Sequence, residues 1–513
     1  MTESREKSFG QILKSSSLLG SASLINVLLG IIRVKVLAVH LGPAFYGTMS
    51  LYSNFINTIG SLTSLGIGQS AVRDIAAASN AGDEQGMARK VAVLHRVVWV
   101  TGFFGLIATV GLAIPGSWWV FGNYDHAWAI AILAVIVLLS QIQAGQGALL
   151  SGLRRIGDMA KMNVIGGVLS TTLAIVLLLL LGANGIVPFL IAVAVGQLAA
   201  SWWYARKVKL PGVQVSWREC YYESQEMVHL GLSIVVSGVA GTLSTLLILT
   251  ILRKYQGESA VGLYQSAYTI SSIYVGFILQ AMSSEYFPRL AGIARDRILR
   301  NQAVNDQAEM AMLLAVPGLV AVLVVADILI PILYSTRFDG ASEILRWQVL
   351  GMLGSIISWP QGFILMARSD KAALLISEWL MAAIFVILVW FGVKYFGYVG
   401  SGMAFAAQYF LHVLLIAWIV KTRHEFIMNK ATRKIILVGI SLVVIEFAAT
   451  FITLPILKHA SGILILFVAL AWSLHGLIVR LGYERFMNGL QKFVGRNVRL
   501  KLDWAWSKFY RQS

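Results

Sequence analysis

Residues 42–47 read Gly-Pro-Ala-Phe-Tyr-Gly, and residues 257–262 read Gly-Glu-Ser-Ala-Val-Gly. The glycines that bracket the first stretch, Gly42 and Gly47, return as Gly257 and Gly262, 215 positions later. The same offset carries Gln146-Gly147 onto Gln361-Gly362, and Gly182 and Gly185 onto Gly397 and Gly400. An offset held across three separated regions marks an internal duplication. Two duplicated helical lobes that rock against each other are a common design for carrying a solute across a bilayer.

The sequence around these landmarks belongs in a membrane. Of 513 residues, 58% are hydrophobic and 13% charged, where a soluble domain carries about 25% charged residues. Residues 171–181, 374–391 and 463–472 hold almost nothing polar. Helical spans of about 20 residues cross the hydrocarbon core. Such spans fall at 15–38, 43–68, 91–113, 127–150, 162–182, 186–205, 228–252, 262–287, 309–331, 342–366, 372–392, 398–420, 435–454 and 461–479. The fold expected is an all-α polytopic membrane protein with about fourteen transmembrane helices. Two six-helix lobes, 1–206 and 228–420, are related by pseudo-twofold symmetry. A cytoplasmic linker, 207–227, joins them, and two additional helices follow in 421–482. The tail, 483–513, is basic, and Phe486, Leu490 and Phe493 share one helical face. It reads either as an amphipathic segment on anionic lipid or as a solvated tail.

Charge sets the orientation. The formal net charge is +17, and 33 of the 41 Lys and Arg residues fall on the side that holds the N-terminus. That bias places both termini in the cytoplasm, and it accounts for the basic excess without nucleic acid. The polar, basic N-terminus runs into the first span without a cleavable signal. The loops on the opposite side are short, the longest being near 114–126. A membrane-embedded sugar-transfer enzyme would need larger ones.

Catalytic and metal signatures do not appear. There is no G-x-x-x-x-G-K-[ST] phosphate loop and no H-E-x-x-H or paired Cys/His spacing. No catalytic residue, metal or cofactor is expected. The one cysteine, Cys220, reads as an ordinary residue of the linker loop. His412 and His475, isolated within spans, read as interhelical hydrogen-bonders.

Polar residues inside the spans carry the functional reading. Ser23, Asn26, Gly30 and Arg33 share one face of the first span; Asn54, Asn57, Ser61 and Ser64 share one face of the second. Ser233, Ser237, Gly241 and Ser244 do so in the seventh, and Gln265, Thr269 and Ser272 in the eighth. Small and hydroxyl residues also serve close helix packing, so each stripe alone is ambiguous. Four stripes on repeat-equivalent helices point to a shared wet cavity. A basic residue near mid-membrane costs on the order of 2.5–3.5 kcal/mol on insertion scales. Arg33 sits on a polar stripe and is expected to face that cavity. Lys35, Arg253 and Arg346 lie near span ends, where snorkelling is the alternative. The candidate substrate-binding residues are therefore Arg33, Lys35, Asn26, Asn57, Arg253 and Arg346. Glu378, in an otherwise apolar span, is the coupling-ion candidate.

The first two spans resemble a known family. Asn26-x3-Gly30-x2-Arg33-x3-Leu37-Ala38-x2-Leu41-Gly42-Pro43-x2-Tyr46-Gly47, then Leu65-Gly66-x-Gly68 and Val72-Arg73, resemble the polysaccharide transporters. These are the O-antigen and exopolysaccharide flippase branch of the multidrug/oligosaccharidyl-lipid/polysaccharide exporter superfamily. The family often shows an arginine directly before that Leu-Gly-Pro, where this chain has Val39-His40. The resemblance implies export of an undecaprenyl-diphosphate-linked oligosaccharide to the outer leaflet of a bacterial inner membrane, by ion-coupled alternating access. The partners expected are the lipid-linked oligosaccharide and membrane lipids, with a polysaccharide polymerase and chain-length proteins beside them; nucleic acid is not one. A multidrug/cation antiporter and a peptidoglycan-precursor flippase are the alternatives within the superfamily.

Overall fold

The computed structural model describes residues 2–482 and is predominantly helical, with no strand among the described residues. The helices run α1 (Thr2–Thr63), α2 (Ile67–Asn80), α3 (Glu84–Gly111), α4 (Ala113–Phe121), α5 (Ala127–Gly152), α6 (Ile156–Leu181) and α7 (Ile186–Ala205). Then follow α8 (Trp217–Gly292), α9 (Arg297–Leu333), α10 (Ala341–Ala367), α11 (Lys371–Phe396), α12 (Val399–His424), α13 (Lys430–Ala449) and α14 (Pro455–Leu481). Nine helical segments among the described residues are long and apolar enough to cross a membrane. Two of them, Ser21–Thr63 and Ile156–Ala205, have 43 and 50 residues, so each holds two of the expected spans. The seventh and eighth spans lie on the 76-residue α8 and the thirteenth on α13. This is a multi-pass membrane protein.

The duplication is written in the backbone. The one non-helical residue inside α1 is Gly42, at φ 79°, ψ −172°. Inside α8 it is Gly257, at φ 81°, ψ 177°. That region is open essentially to glycine alone, so each glycine divides a continuous helix into two spans. Arg154 and Ser369 share a left-handed φ of 52° and 55°, and Gly182 and Gly397 one of 56° and 63°. All three pairs keep the 215-residue offset, and none of these angles is legible in residue type beyond the glycines.

By contact the chain forms two compact units. The first comprises Met1–Ala267, Ile328–Ile344 and Leu375–Phe405; the second comprises Tyr268–Asp327, Leu345–Leu374 and Ala406–Ser513. This grouping cuts across the sequence repeats, because ends of second-repeat helices pack with the first repeat. Within the first unit, a Cβ on Gly47 would collide with the Glu258 carbonyl oxygen, and one on Gly262 with that of Pro43. Pro43 and Glu258 are themselves repeat equivalents, so the contact is reciprocal, as a twofold axis requires. The first half of α8 then follows α1 through Thr58, whose hydroxyl lies 3.4 Å from the Thr242 carbonyl, to a close approach of Gly66 and Gly231. These extremes are called below the Gly42 end and the Gly66 end. Tyr46, Tyr334 and Phe338 form an aromatic group at the Gly42 end.

The second unit is built on α9, where Met312, Leu313, Val316 and Val320 are fully buried. The appended helices α13 and α14 pack on it through Gly439, which faces Met312 and Val316, and Gly476, which faces Leu313. Glu309 accepts from the Thr432 hydroxyl at 2.6 Å and from Arg480 Nε at 2.6 Å. Asp327, near the other end of α9, takes Arg346 at 2.5 Å and Lys458.

Two local expectations are corrected. Cys220 is not in a loop; it is buried on α8, packed with Leu94, Val215 and Met227. Of the linker only the stretch before Trp217 is non-helical, and the expected loop near 114–126 begins with α4. The tail beyond residue 482 lies outside the described residues, as do the side chains of Ser233 and Ser237.

Candidate translocation site

Helix α1 decides which groups a passage could offer. Ala22, Leu37 and Ala38 are buried along it. Gly30 has open space where a side chain would stand. Arg33 is one turn further on and half-buried. It makes no hydrogen bond or ion pair with a described residue. Nine residues separate Arg33 from Gly42, roughly 13 Å at the helical rise. Its cation therefore stands toward the Gly42 end of the span but inside it, and no described residue of the first unit pairs with it. The repeat breaks here, because the equivalent of Arg33 on α8 is Ile248, which is fully buried. The cation is thus confined to one repeat.

The other candidates divide. Asn57 is exposed midway along a stretch of α1 whose neighbours Phe55, Ile56, Thr58 and Ile59 are buried, and its amide makes no hydrogen bond with a described residue. On α8, Gly238 and Gly241 face open space and Thr245 is half-buried. Asn26 instead donates to the Ala22 carbonyl at 3.1 Å and sets its amide oxygen against Gly167 of α6. It serves helix packing, the competing reading of its stripe. Lys35 donates to the carbonyls of Ile332 at 2.7 Å and Pro331 at 3.3 Å. Those carbonyls belong to the last turn of α9, where the unpaired acceptors and the helix dipole both favour a cation. Arg346 is committed to Asp327. Arg253 sits at the Gly42 end, its guanidinium against Gly122.

Glu378 is exposed on α11 between Ser377 and Trp379, and it makes no hydrogen bond or ion pair with a described residue. The indole of Trp379 donates to the Val236 carbonyl at 3.0 Å, which ties this stretch of α11 to α8. His412 meets Ser358 at 3.1 Å, an interhelical bond as expected, whereas His475 is exposed. A polar group that sequence reading missed lies at the Gly42 end. Thr48 donates to Glu258 at 2.9 Å, and Tyr52 meets His126 Nδ1 at 2.5 Å. Glu258 and His126 fall just outside the expected spans, so a search for polar residues within spans passes over them. The usable signal was that Glu258 occupies the repeat position of Pro43.

Comparison with known proteins bears on what this helical bundle is. The sequence profile described as polysaccharide biosynthesis protein matches residues 36–343, more than half of the chain. The chain belongs to that family. This family member is 22% identical over 416 residues to the "Lipid III flippase" of Escherichia coli strain K12, covering 79% of this chain and 97% of that one. It is 24% identical over 298 residues to the "Probable low-salt glycan biosynthesis flippase Agl15" of Haloferax volcanii, covering 56% and 59%. Its fold matches "Lipid II flippase MurJ, inward closed conformation" with a TM-score of 0.68 at 17% identity, over 90% of this chain and 98% of that one. It also matches an inward-facing multidrug resistance MATE family transporter of the MOP superfamily, with a TM-score of 0.65 at 15% identity, over 78% and 96%. At such identities the structural likenesses carry the fold alone, and the fold is the two-repeat membrane bundle derived above.

Proposed function

We infer that this chain is a flippase that moves an undecaprenyl-diphosphate-linked oligosaccharide from the cytoplasmic to the outer leaflet. It is a transporter, not an enzyme. The observation that carries the reading is Arg33, a guanidinium with no partner among the described residues, inside a span of a polysaccharide biosynthesis protein. A diphosphate cannot cross hydrocarbon unaided, because stripping water from an unpaired charge costs many kcal/mol. A cation left without a carboxylate partner suits a transient anion. It can bind the diphosphate and release it when the surroundings change.

In this reading residues 1–206 and 228–420 are the moving lobes, 207–227 links them, and 421–482 braces the second lobe. Both termini lie in the cytoplasm and the Gly42 end faces outward. Asn57 supplies a neutral hydrogen-bonding group to the sugars. Glu378 takes up the coupling cation or proton on α11. Lys35 and Arg346 contribute through structure, and Arg253 acts at the outer end. A polymerase and chain-length proteins would receive the product.

Leaflet-resolved detection of lipid-linked oligosaccharide tests the proposal. Depleted cells complemented with Arg33→Ala should retain the intermediate on the inner leaflet while the protein reaches the membrane. Arg33→Lys should restore part of the flux. Normal flux in a stable Arg33→Ala protein would remove Arg33 from the site, and unchanged leaflet distribution on depletion would remove the function. The free carboxylate of Glu378 favours one second reading, an organic-cation antiporter. It predicts drug resistance on overexpression with no glycan defect on deletion.

A further inference from the structure

The Gly42 end holds a cavity of about 390 Å³ that the translocation reading does not use. Its walls include Phe45 and Trp128, Asp125, His126, Asn184 and Glu258. We propose that this cavity is a saccharide-binding site, open to the outer face, that engages a sugar unit of the translocated glycan. The proposal rests on the flippase reading for the glycan and for which face is outside.

The chemistry of the walls selects the ligand. Trp128 is 61% exposed, although its α5 neighbours Ala129 and Ile130 are buried. An indole on the wall of a largely apolar cavity offers a flat apolar face to the C–H side of a pyranose ring. Asp125 and Asn184 are exposed and make no side-chain hydrogen bond with a described residue. A carboxylate and an amide together supply acceptors and donors suited to vicinal hydroxyls. The cavity lies at the lower end of the roughly 300–1,000 Å³ range of small-ligand clefts, the size for a sugar unit rather than a chain.

The same walls disfavour the other small ligands. Two carboxylates repel a free phosphate or a lipid headgroup phosphate. No cluster of three metal-ligating side chains occurs among the described residues. An organic cation would gain from Asp125 and Glu258, but the Arg253 guanidinium, against Gly122 at the same end, offsets one of the two carboxylates. A neutral polyol meets neither objection.

The cavity is also tied to the transport cycle. Every lining residue lies between Ala44 and Val187, in the first repeat, except Glu258 from the second. Glu258 is held by the Thr48 hydroxyl at 2.9 Å. The cavity is therefore complete only while the two repeats meet at the Gly42 end. A sugar bound there holds that end shut, and opening it discharges the sugar.

Saturation-transfer difference NMR on the full chain in lipid nanodiscs reports binding without transport. The probe is the desalted sugar mixture from acid hydrolysis of the producing cell's surface polysaccharide. At least one sugar should give a saturable signal, cut at least tenfold by Trp128→Ala and by Asn184→Ala. Asp125→Asn, nearly isosteric at an exposed position, should weaken it severalfold and guards against misfolding of the other two. No signal from any sugar, or a signal unchanged in all three variants, overturns the proposal. So does saturable binding of tetraphenylphosphonium that the same variants abolish and no sugar displaces. The leaflet assay separates the two readings. Transport without sugar binding removes this cavity alone, and sugar binding without transport removes the flippase alone.

Discussion

Gly47→Ala is the sharpest perturbation the structure offers. A methyl at this position would stand 3.0 Å from both the Glu258 carbonyl carbon and the Gly262 amide nitrogen, and closer still to the Glu258 oxygen. Carbon contacts settle at about 3.5–4.0 Å, and here every obstructing atom is backbone. No side chain can swing aside, so the two helices must part at the Gly42 end by on the order of 1 Å. Overpacking of this kind costs about 1–3 kcal/mol, which shifts a two-state equilibrium by about 5- to 150-fold. Only the arrangement joined at the Gly42 end bears that cost. Spin labels at His40→Cys and Gln256→Cys, both exposed, in a Cys220→Ser background, would report the separation by double electron–electron resonance. Gly47→Ala should move population from the short to the long distance. Gly262→Ala should do the same. The double variant should fall short of the sum, since the first methyl has already parted the helices. Gly30→Ala, with open space around it, is the control and should leave the distribution unchanged. A Gly47→Ala distribution that superimposes on the control would refute the packing argument.

Three further outcomes are expected. Lys35→Met should lower thermal stability in detergent by about 0.5–2 kcal/mol through the uncapped carbonyls of α9; a selective change in substrate affinity would instead return Lys35 to the site. Asp327→Asn should destabilise by about 1–3 kcal/mol, because Arg346 and Lys458 then face each other without a carboxylate. Arg346→Gln should cost less, since Lys458 still pairs, and equal losses would count against a shared carboxylate. His424, at the end of α12, is held below the ordinary histidine value of 6.5, chiefly by burial, with the nearby Asp370 pulling the other way. Because the folded protein binds this proton less readily than the unfolded chain, stability is full above that ordinary value. It declines as pH falls through the depressed folded one. Unfolding midpoints between pH 5 and 8 should show that slope, flattened in His424→Gln; a slope of opposite sign would refute the burial argument.

Spans, duplication and family were legible in residue order because each depends on local or periodic chemistry. A run of about 20 apolar residues has one stable fate in hydrocarbon, and a glycine forced into a region closed to other residues leaves its mark at both copies, Gly42 and Gly257. The fate of the intramembrane cations was not legible. Arg33, Lys35 and Arg346 look alike as basic residues in or beside spans, and only tertiary contacts show that Lys35 caps a helix over 290 positions away while Arg346 meets Asp327. The polar stripes were ambiguous for the same reason. Asn26 and Asn57 have similar sequence surroundings, yet one packs on Gly167 and the other is uncovered. Sequence by itself determined which segments enter the membrane and that they come in two copies, since burial in lipid acts on each helix separately. Only the tertiary structure decided which charges are spent on holding the protein together and which stay free to meet a substrate, since a partner distant along the chain is what neutralises a charge.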